Sequence, residues 1–346
     1  MQTTDRILTT PASSPPVLAT GYDCGNGSVK LIVDNSEVLI PSYFAALHSE
    51  IYDVIESKQG SLIEYLGGDR ADLVGQKWLT GNVAYQVNPQ GHQRTVDDLN
   101  GKVHLALQLL LGALGTMQHR SKWNLSIVCS IQDAQALGGE LSKAIAGRHN
   151  IRVNNKGVTS VEVAVSAVLE EGSGAVVSAL ASGLIQPKTQ NIVLDFGGGT
   201  TIASVFAPGG KLITRKVTRG GVDCLIEAIA KNLNTRRQLL KEADRHLIRL
   251  GIENQSFQYG KTNWNFRDVY NTELKPWVVA NLATALKSVE AWRDQSDSII
   301  AIGGGSQLPT INTLLGIQNI VTSYDAVWLN CRGLQRLAGI KLRRAA

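Results

Sequence analysis

Two short stretches of the chain hold residue types that could handle a phosphate chain. The first, Asp23-Cys-Gly25-Asn26-Gly27-Ser28-Val-Lys30, puts an acid, a glycine turn and a cation within one hairpin's length. The second, Asp195-Phe-Gly197-Gly198-Gly199-Thr200-Thr201, puts an acid, three glycines and two hydroxyls together. Backbone N–H groups freed by a glycine turn can wrap an anion. Lys30 can neutralise the charge of a β- or γ-phosphate. An aspartate would repel a bare phosphate, so Asp23 implies Mg²⁺ held through water. Each loop also reads as an ordinary hairpin with its charges in solvent. Three consecutive glycines are nevertheless costly in conformational entropy. Two such loops facing each other would clamp a phosphate chain from both sides.

A third cluster, Gly303-Gly304-Gly305-Ser306-Gln307, follows the apolar run Ile300-Ala-Ile302 and precedes a helix expected from about Gln307. Strand, glycines and helix in that order form a ligand site at the carboxyl end of a sheet, or a plain strand-to-helix turn. Gly220-Gly221, ahead of a helix at Val222, could approach a ribose or simply let the chain turn.

These loops need elements to hold them, and the chain supplies them twice. Leu18 to Val33 and Asn191 to Phe206 each read as an apolar strand ending in Asp, a glycine turn and a second strand. A third strand follows each: Glu37 to Pro41, and Lys211 to Val217. Helical periods come next. In the first half they are Lys102 to Gln118 and Asp133 to Arg148, around a strand at Leu125 to Cys129. In the second they are Val222 to Asn232, continuing toward Leu250, and Lys275 to Arg293, before a strand at Ser298 to Ile302. A hinge helix is expected over Glu171 to Gly183. The last helix, Trp328 to Leu337, should cross back to the first half. The expected organisation is a flexible tail at 1–17, one domain at 18–170 with segment 326–346 packed back on it, and a second at 171–325. Glu50 to Leu99 is loop-rich, with Trp78-Leu79 on a short strand or helix.

Composition narrows the class. A chain of 346 residues exceeds one ordinary core, and 43% hydrophobic with 18% charged residues suits a folded protein. Cys24, Cys129, Cys224 and Cys331 lie far apart, which argues against a zinc site or disulfide framework and fits a reducing cytoplasm. The apolar run Val103 to Met117 is too short to span a bilayer and reads as a buried helix. The net charge of +5 is scattered. Arg236, Arg237, Lys241, Arg245 and Arg249 read as a solvated helix face, without the aromatic lacing of a nucleic-acid surface. A P-loop signature is absent, and Lys30 stands where a dinucleotide fingerprint needs its third glycine.

The three glycine motifs, in this order, resemble the actin superfamily of actins, bacterial cell-shape filaments, heat-shock chaperones and sugar kinases. The resemblance runs from about Ala19 to Gly339. The ending Asp325-Ala-Val-Trp328-Leu-Asn330-Cys-Arg332-Gly333-Leu is most similar to the ParM-type plasmid-segregation actins. It implies an α/β fold of two actin-like (ribonuclease-H-like) domains around a nucleotide cleft. By the resemblance, ATP (or GTP) sits there with Mg²⁺ anchored by Asp23 and Asp195. The two loops and Lys30 bind phosphates, and Gly303 to Gly305 pack on adenosine. The family also has an acidic residue at the start of the hinge helix that positions the attacking water. Glu171 aligns best; Glu170 is one step away, where the family often has proline. The implied activity is ATP hydrolysis coupled to filament assembly, for plasmid segregation or as a cytoskeletal filament. Its partners would be other copies of the chain and a DNA-binding adaptor, with no direct nucleic-acid contact. Rival readings are a small-molecule kinase of the same fold and a non-polymerising nucleotide sensor or adaptor.

Overall fold

The computed structural model describes residues 16–49, 57–98 and 100–345. Most of the expected tail, together with residues 50–56 and 99, lies outside them. The first lobe is built on ten strands: β1 (Leu18–Cys24), β2 (Ser28–Val33), β3 (Ser36–Pro41), β4 (Tyr43–Leu47), β5 (Leu62–Gly68), β6 (Lys77–Thr80), β7 (Gln93–Arg94), β8 (Lys122–Ile131), β9 (Gly147–Val153) and β10 (Val158–Glu170). Their spatial order is 3-2-1-8-10-9-5-6-4-7. The second lobe has five: β11 (Asn191–Phe196), β12 (Thr200–Phe206), β13 (Leu212–Arg219), β14 (Ser298–Ile302) and β15 (Val321–Thr322), in the order 13-12-11-14-15.

The repeat read from the sequence is therefore a repeat of wiring. In each sheet an antiparallel three-strand meander is joined along its first strand by a parallel strand, β8 in one lobe and β14 in the other. Both meanders place an aspartate, Asp23 or Asp195, one residue before the end of their first strand. The β1–β2 register sets Lys30 directly opposite Asp23. Cores form beneath each sheet. The Ala106–Leu114 helix is buried along its whole length, Gln108 included, as its mostly apolar run predicts. Phe196, Leu225, Ile229, Phe266 and Tyr270 fill the second lobe.

Several helix expectations change in detail. The run from Val222 does not continue to Leu250; it breaks into Val222–Lys231, Leu233–Leu239 and Arg245–Glu253. Asn232 caps the second piece, Leu240 ends it in the left-handed region (φ 57°), and the Asp244 carboxylate caps the third by accepting from the His246 and Leu247 amides. The helix expected from Lys275 starts already at Arg267. Pro276 removes a donor, and the wider turn at Val279–Ala283 accommodates the loss. Gln307 ends a short 3₁₀ turn, and the helix begins at Ile311. Strands β9 and β10 were not expected, and Trp78 lies on a strand.

The hinge helix is Ser173–Ala181, preceded by Gly172 at φ 87°. Ala175, Val176 and Ala179 pack on the second sheet. The last helix is Leu329–Ala345, and Leu334 and Ala338 pack with Val128 on the first sheet. Where the two helices meet, Gly174 and Gly333 bring backbone against backbone; a Cβ on either would strike the other segment.

Candidate functional site

The hairpin turns of the two meanders face each other across the gap between the lobes. A Cβ on Gly198 would stand 2.7 Å from the Gly27 amide nitrogen, so only glycine permits this approach. Thr95 braces the first turn, its hydroxyl donating to the carbonyls of Gly25 and Asn26 at 3.3 and 3.4 Å. The second turn is fastened from behind, with the Val222 and Asp223 amides donating to Gly197 and Gly198 carbonyls at 3.0 and 2.8 Å. Among the described residues, the amides of Asn26, Gly27, Gly198 and Gly199 find no acceptor. Unpaired donors clustered on two apposed turns suit an anion.

A cavity of about 400 Å³ opens beside these turns. Its polar end holds Asp23, Lys30, Lys102, Glu171 and Asp195; its apolar end holds Val222, Ile226, Ile252, Leu308 and Pro309. Lys30 Nζ donates to Asp23 Oδ2 at 3.2 Å, and Lys102 Nζ pairs with Glu171 Oε1. Burial alone would lower both lysines, but Asp23 and Asp195 outweigh it for Lys30 and Glu171 outweighs it for Lys102, so both rise above the usual range. Asp195 receives no hydrogen bond from any described residue. Burial, reinforced by the charges of Glu171 and Asp23, pushes its carboxyl up to about 7. Three carboxylates facing two ammonium groups leave the site short of one positive charge.

That deficit, with the bare Asp195 carboxylate, fits a cation bound between Asp23 and Asp195. Among the described residues no three His, Cys, Asp or Glu side chains are grouped to ligate a metal directly.

Gly25, Asn26, Gly27, Ser28, Gly197, Gly198, Thr200, Gly303, Gly304 and Gln307 also line this cavity. Gly199, Thr201, Gly220, Gly221 and Gly305 do not. Gly199 packs on Asn26, Thr201 is buried with its hydroxyl 3.4 Å from Asn281 Oδ1, and Gly305 packs on Phe196. Gly220-Gly221 back onto the triple-glycine turn, with Trp277 Nε1 donating to both of their carbonyls at 3.0 and 3.1 Å. Of the two readings left open for that pair, the structure has the chain turn. Glu170 also leaves the site. Its carboxylate accepts from the Ala134 amide at 3.0 Å and pairs with Arg215, because neighbouring residues at the end of a strand point to opposite faces.

Lys102 and Arg249 are among the lining residues that the sequence reading did not assign to the site. Lys102 looked like an ordinary helix start; its signal was a lone cation opening a mostly apolar run. Arg249 was assigned to a solvated face. It is instead largely buried, pairs with Asp223 and lines the cavity.

The fold, two α/β lobes around a cleft, is the one seen in solved actin-like proteins. Residues 21–174 match the family model described as the N-terminal domain of actin-like proteins. Solved structures share the architecture along nearly the whole chain. An archaeal actin homologue in complex with ADP is 16% identical with a TM-score of 0.73, over 94% of this chain and 100% of that one. A 15-stranded ParM filament from Clostridium botulinum is 16% identical with a TM-score of 0.70, over 94% and 99%. The apo psk41 ParM protein is 17% identical with a TM-score of 0.65, over 95% and 98%. No curated protein matches the chain in sequence.

Proposed function

We propose that this chain is an actin-type ATPase that binds ATP with Mg²⁺ between its lobes and assembles into filaments, serving plasmid DNA segregation or a bacterial cytoskeleton. The observation that carries this reading is the convergence, at one cavity, of two anion-ready glycine turns with Asp23, Lys30, Lys102, Glu171 and Asp195. The archaeal homologue was solved with ADP, and one of the ParM relatives as a filament. On this reading residues 18–170 and 171–325 are the two domains, with 326–346 returning to the first.

The unpaired amides and Lys30 hold the phosphates, and the apolar end of the cavity takes the base. Asp23 and Asp195 hold the water shell of Mg²⁺, which when bound neutralises phosphate charge. Glu171 orients the water that attacks the terminal phosphate. ATP binding draws the lobes together and favours assembly; hydrolysis loosens them and favours release. A head-to-tail contact between copies gives an open filament. The cargo connection is assigned to a DNA-bound adaptor. No described helix is long and apolar enough to cross a membrane, and we assign the chain to the cytoplasm.

Light scattering and negative-stain microscopy on adding ATP and Mg²⁺, with phosphate release followed in parallel, test the proposal. Filaments that appear with ATP and decay as phosphate is released are expected. Turnover without filaments would overturn the polymer; no nucleotide binding would overturn the whole reading.

A further inference from the structure

Lys102 lines the cavity, and the proposed function leaves it without a task. Its side chain and that of Glu171 are 9% and 8% exposed, and both line the cavity beside the glycine turns. An ammonium carries three donors. Among the described residues Glu171 is the sole hydrogen-bond partner of Lys102, so two donors remain in a cavity already lined with free amides. Lys30, with one donor on Asp23, already serves the phosphates in the proposed function. The donors of Lys102 are a second set at this cavity, and they suit an anion arriving there.

The backbones on either side are fixed. Gly101 packs against the Thr95 carbonyl, and Thr95 in turn holds the first glycine turn. The Glu171 amide donates to the Ile131 carbonyl at 3.1 Å, at the end of β8. Any rearrangement of this pair must come from the side chains, and lysine is a point charge on a flexible stem.

We propose that Lys102 senses the γ-phosphate and, by leaving Glu171 for it, frees that carboxylate to act; this rests on the nucleotide reading above. While the pair is intact, Glu171 Oε1 is occupied by an ammonium and is a poor acceptor for a water proton. A terminal phosphate offers several charged oxygens against one carboxylate and draws Lys102 across. Glu171 then accepts a hydrogen bond from the attacking water. The water oxygen bonds to Pγ while the Pβ–O–Pγ bridge breaks at Pγ, its electron pair staying on the departing ADP oxygen. The water proton passes to Glu171 and on to the released phosphate. ADP lacks the group that draws Lys102 away, so the pair re-forms and the site is quiet.

The test compares the full chain with Lys102→Met and with the double variant Lys102→Met/Glu171→Gln, measuring Kd for ADP and for a non-hydrolysable ATP analogue. A charge-assisted phosphate contact corresponds to roughly 10- to 100-fold in affinity. Lys102→Met should weaken the triphosphate by at least about tenfold and the diphosphate by less than about threefold. The double variant removes the buried unpaired carboxylate and keeps the fold, and it should show the same loss of triphosphate preference. Restored preference in the double variant would mean that Lys102 only balances Glu171, and would overturn the proposal, as would equal weakening of both nucleotides. A wild-type chain that binds neither nucleotide overturns the functional reading first, and this one with it.

Discussion

Asp195→Asn should make the nucleotide-free protein more stable while removing its use for Mg²⁺–nucleotide. The carboxyl receives no hydrogen bond from a described residue, and burial, with the charges of Glu171 and Asp23, pushes its pKa from 3.8 to about 7. A folded-state pKa above the unfolded one means that the folded chain holds a proton the unfolded chain has already lost. Stability therefore falls as pH rises through that window, by about 1.4 kcal/mol per pH unit. The accumulated cost is about 1.5 kcal/mol at pH 5 and about 4 kcal/mol at pH 8. Asp195 is partly open to the cavity, where water screens it, so roughly half of each figure is the expected effect. The neutral amide escapes this cost. Thermal unfolding without nucleotide should show the variant higher by about 4 °C at pH 8, and by less than half of that at pH 5. Lysines 30 and 102 stay charged throughout and do not reverse the sign. A variant less stable than wild type at pH 8, or a gain that does not shrink toward pH 5, would refute the electrostatic account. Unimpaired Mg²⁺-dependent nucleotide binding would refute the metal assignment.

Glu171→Ala should keep ATP affinity and assembly but slow phosphate release about 10²-fold, leaving filaments that outlast wild-type ones in time-resolved light scattering. Glu170→Ala should leave turnover intact and lower stability by about 1–2 kcal/mol in denaturant titration, since it loses the Ala134 amide and Arg215. Gly198→Val should raise the nucleotide Kd about tenfold or more with little change in Tm, because its Cβ would stand 2.7 Å from the Gly27 nitrogen and hold the turns apart.

The chemistry was legible where sequence neighbours are also neighbours in space. Asp23 and Lys30 sit opposite each other because a two-strand register carries them there, and the same local logic gave the repeat and the triple-glycine turn, whereas the preference for Glu171 over Glu170 came from the resemblance alone. What stayed hidden needed distant packing. Lys102 meets Glu171 across 69 positions, and no local pattern announces that. Arg249 looked solvated because alternating charge on a helix usually is, yet a buried Asp223 awaited it. Strand β10 carries the alternation Val161-Glu-Val163-Ala-Val165 and is joined to β9 by a hairpin turn at Asn154-Asn155-Lys156-Gly157, a local signal that the sequence reading passed over. The helix boundaries moved where caps decided them, at Asn232, Asp244 and Gly172.

The crossing of Gly174 and Gly333 has a mechanical consequence. One helix belongs with the second sheet and the other with the first, so this point of contact is a bearing on which the lobes would turn. Its closest approach is backbone on backbone, with the Ser178 hydroxyl donating to the Leu329 carbonyl at 2.8 Å beside it. A methyl group on either glycine would force the two helices apart at this joint. In a polymer, such a subunit could still be built in while no longer answering to its nucleotide, so one jammed copy would stall its neighbours.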